Sequence, residues 1–339
     1  MIVPLDPVRI AVLGAGRIGR MHAELLARRV PGAAVATVYD AVPSVAAEVA
    51  AQLGVTAAAS LDEVFAGPAD AVAICSSTDT HVEIIERAAA AGKAIFCEKP
   101  VSLDLVLVDR ALRAVEQSGV AFQVGFNRRF DPAHQSVRDA VRDGTVGDVH
   151  LVRITSRDPS PPPIAYVKVS GGIFLDMTIH DFDMARFVTG SEVVEVYAQG
   201  AVRVDPAIGE AGDLDTAVIL LRHENGCLTT IDNSRQAVYG YDQRVEAFGS
   251  SGLAASDNPP SHSGVVRRAS GTTTPTIPYF FLDRYIPSYV GEWEAFVNYV
   301  RDGGPSPVSA VDGRAPLVIG LAAIRSVKEH RPVATSEIG

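Results

Sequence analysis

Val8-Arg9-Ile10-Ala11-Val12-Leu13-Gly14-Ala15-Gly16-Arg17-Ile18-Gly19 is the stretch on which the fold turns. Its first six residues form an apolar, β-branched run, which predicts a buried strand, Val8–Leu13, ending at a glycine. From Arg17 to Arg29 the apolar residues Ile18, Met21, Leu25 and Leu26 recur at helical spacing, and Pro31-Gly32 stops them. Between strand and helix, each glycine has a physical use. Gly14 permits the tight turn, Gly16 lets the backbone approach a pyrophosphate, and Gly19 allows the helix to lie close against the strand. The helix N-terminus adds amide donors and partial positive charge. Glycine-rich turns also arise by chance, but here Asp40 ends the second strand, Val35–Tyr39, 21 residues beyond Gly19. A carboxylate in that place accepts from the adenosine ribose hydroxyls and repels a 2′-phosphate. Residues 41–43 are Ala, Val and Pro, with no arginine to hold that phosphate, so NAD is expected rather than NADP. Arg17 and Ile18 belong to the same cofactor turn. The structural alternative for Asp40 is a helix N-cap or turn residue.

Working outward, strands and helices alternate: a helix over Val45–Leu53, a strand Ala71–Cys75, a helix Thr80–Ala91, a strand Ala94–Cys97, a helix Leu103–Ser118 and a strand Ala121–Val124. That order predicts a doubly wound parallel sheet. Ser76, Ser77, Thr78 and His81 follow the third strand and suit the ribose and nicotinamide side of the crevice, although helix capping explains the hydroxyls equally well. Near Gly125 the pattern changes. After a helix over Asp131–Asp143 come longer Val/Thr/Ile-rich segments, Val149–Ser156, Val193–Val202, Thr216–Arg222, Cys227–Ser234 and Arg244–Gly249, joined by turn sequences. Two helices, around Tyr289–Arg301 and Asp312–Glu329, close the chain. The expectation is an α/β protein with a first domain over 1–124 and a second, over 125–339, built on a large, mostly antiparallel open sheet.

The whole chain has 339 residues, enough for two domains. Lys plus Arg total 30 against 40 Asp plus Glu, a net charge of −10, which argues against nucleic acid or an anionic membrane as the main partner. Cys75, Cys97 and Cys227 are odd in number and widely spaced, so neither a disulfide framework nor a CxxC metal knuckle is expected. No apolar run approaches the ~18–20 residues of a membrane helix. The opening MIVPLDPVRIAVLG has no basic segment followed by an apolar one. A soluble, cytoplasmic protein is the expectation.

Two groups carry chemistry. Phe96-Cys97-Glu98-Lys99-Pro100 places a charged pair directly after a parallel strand, where ligands bind in open α/β sheets. Surface decoration is the usual role of such a pair. The proline that fixes the loop favours a site lysine, with Lys99 polarising a substrate hydroxyl or tuning a neighbouring acid–base group. In Gly171–Asp183, Asp176, His180 and Asp183 stand at i, i+4 and i+7 and would share one face of a helix. A carboxylate beside an imidazole orients it and stabilises its protonated form, as proton abstraction from an alcohol requires. Helix capping by Asp176 with His180 packed at a domain interface is the structural alternative. A zinc site on the same three residues ranks below acid–base chemistry, because no cysteine or second histidine clusters there.

The fingerprint Gly14–Gly19, then Glu98-Lys99-Pro100, then Gln123-Val124-Gly125-Phe126-Asn127-Arg128-Arg129-Phe130-Asp131, then Asp176…His180, together resemble the Gfo/Idh/MocA oxidoreductases, in that family's order and over nearly the whole chain. Within the family, Ser156-Arg157-Asp158-Pro159, Asp176–Phe187 and Tyr239-Gly240-Tyr241-Asp242-Gln243-Arg244 are most similar to bacterial inositol 2-dehydrogenases. The resemblance implies an N-terminal Rossmann domain, a homotetramer built on the open sheet, and NAD-dependent oxidation of a cyclic polyol, foremost the 2-hydroxyl of myo-inositol. It makes Lys99, Asp176 and His180 the catalytic residues. Glu98 and Lys99 join the cofactor contacts. Lys99, Arg128, Ser156, Arg157, Asp176, His180, Asp183 and Tyr239 become the polyol contacts, and no metal is implied. Where some inositol enzymes carry a substrate-facing histidine this chain has Ser156. The resemblance leaves a scyllo-inositol or sugar dehydrogenase as the alternative, and the active site is expected at the seam between the domains.

Overall fold

A computed structural model describes residues 6–339; residues 1–5, which the sequence reading assigns to the first domain, lie outside the described residues. The chain forms two compact units. The first runs to Asn127 and includes Tyr289–Arg314, and the second holds Arg128–Ser288 and Ala315–Gly339. The single division at 124/125 expected from the sequence therefore omits a return of the chain to the first unit. The reason is apolar: Trp293, Phe296 and Val297 are buried in the first unit's core with Ile10, Val12, Ala73 and Phe96. Each later change of unit falls beside a proline within a helix, Pro287 in Phe281–Asp302 and Pro316 in Ala310–Glu329.

The first unit's sheet comprises β1 (Val8–Leu13), β2 (Ala33–Tyr39), β3 (Thr56–Ala57), β4 (Ala71–Ile74), β5 (Ala94–Glu98) and β6 (Phe122–Gly125), in the order β3-β2-β1-β4-β5-β6 with every pair parallel. Strands buried on both faces need no alternation. Accordingly β4 and β6 are buried at every residue, and β1 at all but Arg9. The chain leaves β1 for β2 on one side and reaches β4 on the other, so the turns after β1 and β4 meet where the strand order reverses.

The second unit carries a mixed sheet. Its strands are β7 (Val149–Arg157), β8 (Val193–Ala201), β9 (Thr216–His223), β10 (Leu228–Ser234), β11 (Asp242–Gly249), β12 (Gly252–Ala255) and β15 (Val333–Ala334), ordered β12-β11-β7-β10-β9-β8-β15. Only β7 and β10 pair in parallel. A separate hairpin joins β13 (Val266–Arg268) to β14 (Gly271–Thr273), within the polar, Ser/Thr-rich stretch Asp257–Thr276. Alternation is clear on β9, where Ala217, Ile219, Leu221 and His223 are buried and the residues between them face outward. The inward face packs with Phe174, Phe182, Met184 and Ile319 in one core. Among the described residues no helix is long and apolar enough to cross a membrane.

Candidate active site

The turn after β1 forms a cradle. Gly14 has φ +93°, and a Cβ there would stand 2.5 Å from the backbone nitrogen of Ser76. A Cβ on Gly16 would meet nothing within 4 Å, so this backbone is open to a ligand. Gly19 is closed by contrast: its Cβ would lie 1.7 Å from the carbonyl oxygen of Gly14. Asp40 accepts from Ala15 N (2.7 Å) through one oxygen and from Val42 N (2.8 Å) through the other, so it holds the turn in shape. Open backbone at the head of the helix Arg17–Arg28, beside a carboxylate at the end of β2, fits a dinucleotide.

After β4, Ser76 and Thr80 share a hydroxyl hydrogen bond of 2.7 Å, and Thr80 donates to Ser77 O at 2.8 Å. Ser77 precedes the helix Thr78–Ala90 without capping it through its side chain. His81 is buried, with Nδ1 at 2.9 Å from Pro100 O and Nε2 at 3.1 Å from Ser76 O, so its ring ties the turn after β4 to the turn after β5. Burial lowers its pKa, against the two carbonyls, which favour the charged form. In the turn after β5 the Lys99–Pro100 peptide is cis, and Lys99 donates its backbone N–H to Glu98 Oε2 at 3.2 Å.

In the second unit the expected helix through Asp176, His180 and Asp183 is two helices. Asp176 ends Gly172–Asp176, and His180 lies in the first turn of Ile179–Thr189. At the break Thr178 donates its one hydroxyl proton to Asn233 Oδ1 (2.6 Å), with Ile173 O 3.2 Å from the same hydroxyl oxygen, which holds the joint against β10. Asp176 is bracketed. Tyr166 donates its hydroxyl to Oδ1 at 2.9 Å, and Arg235 Nη1 lies 3.2 Å from Oδ2. Arg235 is itself buried, with Nη2 3.6 Å from Asp213 Oδ2.

Arg128 donates to Asp181 Oδ1 (2.7 Å), Ser156 Oγ (3.2 Å) and Tyr241 OH (3.3 Å). Burial alone would lower its pKa, but Tyr241, Tyr285, Asp181 and Asp158 raise it above the ordinary arginine value. Ser156 donates its hydroxyl to Gln243 Oε1 (2.8 Å), and Asn233 donates to Asp181 Oδ2 (2.8 Å). Burial raises the pKa of Asp181 despite Arg128 and Asn233. Asp158 is pushed up to about 6 by burial, with Asp176 and Asp181 adding to it and Arg235 and Arg128 opposing. Asp183 faces Arg129 through two bonds of 2.7 and 2.8 Å. Arg157 bonds Asp232 (2.5 Å) and Tyr239 OH (3.0 Å), and Tyr239 donates onward to Asp242 (2.6 Å). Among the described residues no three His, Cys, Asp or Glu side chains gather to hold a metal ion.

Sequence reasoning therefore names Arg128, Ser156 and Asp176 but misses Asp181, Asn233, Arg235, Gln243 and Tyr166, which hold them. Asp181 adjoins His180 in sequence and could have been found. Asn233 and Arg235 are signalled by nothing local, because strand pairing alone brings the end of β10 beside β7.

Behind this wall His134 is buried, its ring against Ser256 Oγ (3.0 Å) and Tyr285 OH (3.4 Å). Burial lowers its pKa to about 4; Asp131 opposes the shift, and Arg284 and Arg128 add to it. Free histidine titrates near ~6.5, so the unfolded chain takes up the proton first. Stability present above that value is lost as pH falls from there towards 4. Asp158 acts with the opposite sign, since its folded form is protonated first. Thermal unfolding of wild type and His134→Gln at pH 7 and pH 5 separates the two: the wild type should lose more Tm on acidification than the variant. Equal losses would remove His134 from the account.

A parallel sheet with a glycine cradle at its switch point, and a second unit with a buried polar network around Arg128 and Asp181 and a carboxylate, Asp176, bracketed by Tyr166 and Arg235, are the two parts of an oxidoreductase. Residues 8–126 match the model of the oxidoreductase family with an NAD-binding Rossmann fold, and residues 134–255 match the GFO/IDH/MocA C-terminal domain. The chain belongs to the Gfo/Idh/MocA oxidoreductase family. It is 48% identical over 333 residues, 98% of this chain and 99% of the relative, to myo-inositol 2-dehydrogenase of Thermotoga maritima. It is 47% identical over 328 residues, 96% and 99%, to inositol 2-dehydrogenase of Rhizobium meliloti. The solved structure of scyllo-inositol dehydrogenase from Lactobacillus casei, with NAD(H) and scyllo-inositol, is 30% identical over 98% of this chain and 100% of that one, with a TM-score of 0.91.

Proposed function

We propose that this enzyme oxidises the 2-hydroxyl of myo-inositol to the 2-keto product with NAD. The observation that carries the reading is full-length similarity to two inositol 2-dehydrogenases, with Lys99, Asp176 and His180 all present. NAD, when bound, supplies the acceptor for the hydride that leaves the carbinol carbon. His180 takes the hydroxyl proton. Asp176, held by Tyr166 and Arg235, orients the imidazole and stabilises its charged form. Lys99 hydrogen-bonds the reacting oxygen as it becomes a carbonyl. Arg128, Ser156, Arg157, Asp183 and Tyr239 meet the ring hydroxyls, which need paired donors and acceptors rather than net charge. Cofactor contacts fall to Gly14, Gly16, Arg17, Ile18, Gly19, Asp40, Ser76, Ser77, Thr78, His81, Glu98 and Lys99. The enzyme works in the cytoplasm, within inositol breakdown, and binds no nucleic acid, in keeping with its net charge of −10 and three free cysteines.

Its test is a panel of myo-inositol, scyllo-inositol, glucose and other aldoses, each with NAD and NADP, followed by absorbance of the reduced cofactor. Turnover should be fastest with myo-inositol and NAD. A preference for scyllo-inositol or an aldose would move the substrate within the family, and no turnover with any of them would end the proposal.

The reading includes a homotetramer built on the outer face of the second sheet. Leu151, Val218, Leu220, Leu228, Phe248 and Leu253 stand exposed there on adjacent strands, and apolar side chains gathered on one sheet face suit an interface between subunits. Val218→Glu with Leu220→Glu should convert the tetramer to smaller species in sedimentation. An unchanged sedimentation coefficient would place the interface elsewhere.

A further inference from the structure

His22 and Trp293 are fully enclosed in the first unit and take no part in the chemistry above. The indole Nε1–H of Trp293 donates to His22 Nδ1 at 2.8 Å, and His22 Nε2 lies 2.7 Å from Glu98 Oε1. An indole can only donate, so Nδ1 carries a lone pair and the ring proton sits on Nε2. Turning the ring over would set carbons against both partners, so its orientation is fixed too. Nε2–H therefore donates to Glu98, which accepts as a carboxylate. The other carboxylate oxygen accepts the backbone N–H of Lys99. A Cβ on Gly125 would come within 3.2 Å of Glu98 Cδ and Oε2, so the bare glycine leaves the carboxylate its room. On the other side of Lys99, Pro100 O faces His81 Nδ1 at 2.9 Å.

We propose that Trp293, His22 and Glu98 form a positioning chain for Lys99. Trp293 fixes the proton of His22, His22 orients the carboxylate of Glu98, and Glu98 sets the backbone from which the Lys99 ammonium reaches the reacting oxygen. The inference rests on the reading of Lys99 as a catalytic residue, and none of the three other side chains needs to touch the polyol.

The tests are Trp293→Phe, His22→Leu and His22→Gln. Phenylalanine keeps an aromatic ring beside Phe96 and Phe296, which lie 4.2 and 5.5 Å from the indole centroid, but removes the donor. Glutamine restores one donor for Glu98 and one acceptor for Trp293; leucine restores neither. Trp293→Phe and His22→Leu should lower kcat about tenfold or more while KM for NAD and polyol stays within about twofold, since misplacement of a catalytic group acts on the reacting geometry. His22→Gln should stay near wild type. Acylation of Lys99 in cofactor-free protein, read apart from Lys93, Lys168 and Lys328 by mass spectrometry, should rise about threefold in the two disabling variants, as a loop released from its anchors opens more often. Folded Trp293→Phe with unchanged kcat and unchanged acylation would overturn the chain. So would folded His22→Gln that fails as badly as His22→Leu. A wild-type protein inactive on every polyol sinks the proposed reaction instead, and the acylation rates still judge the positioning.

Discussion

His180→Ala is expected to lower kcat for polyol oxidation by about a thousandfold, within the ~10²–10⁴ that a positioned general base contributes. That corresponds to about 4 kcal/mol of transition-state stabilisation. An alcohol loses a hydride readily only as its proton departs, and His180 is the imidazole that follows the bracketed Asp176 by four residues. Calorimetric affinity for NAD should change little, because the glycine cradle is formed by the first unit alone. Lys99→Met should cause a loss of similar size, and the double variant much less than the product of the two, since groups that act together are not additive. Normal turnover by folded His180→Ala would exclude this residue as the base.

Gly19→Ala is expected to remove measurable NAD binding and to lower Tm. An added Cβ would stand 1.7 Å from the carbonyl oxygen of Gly14 and 2.8 Å from its carbonyl carbon. Both are backbone atoms, so no rotamer change relieves the clash, and the helix Arg17–Arg28 must move away from β1. That displacement carries the helix N-terminus from the pyrophosphate and spoils the turn that Asp40 holds through Ala15 N. Gly16→Ala makes the control: its Cβ meets no protein atom within 4 Å, so it should fold with near-native Tm and lose only cofactor affinity. Isothermal titration with NAD and thermal unfolding of both variants check the pair. Native affinity in Gly19→Ala would show that the turn relaxes at little cost.

Most of the first unit is legible because its signals are local. The strand run Val8–Leu13 matches β1 residue for residue, and the glycines, Asp40 and the turn Glu98-Lys99-Pro100 fall at strand ends that a doubly wound sheet gathers along one edge. The short elements Thr56–Ala57 and Leu61–Ala66 are not anticipated, since so few residues establish no period. In the second unit the strands are readable by alternation, yet the parallel pairing of β7 with β10 is not, because no connection length or turn sequence announces it. That pairing brings Ser156 opposite Asn233 and so builds the wall around Arg128 and Asp181.

By itself the amino-acid sequence determined the fold class, the family and the residues capable of acid–base chemistry, because strand period, glycine spacing and residue type act within a few positions of one another. Only the tertiary structure decided that Tyr289–Arg314 returns to the first core, that Asp176 and His180 belong to separate helices, and that His22 donates to Glu98. Those facts depend on what a side chain meets across 59 residues, as Asp176 meets Arg235, or across 271, as His22 meets Trp293. Burial makes such partners necessary, since a polar group withdrawn from water must find its hydrogen bond inside the protein, but it does not announce in the sequence which partner that will be.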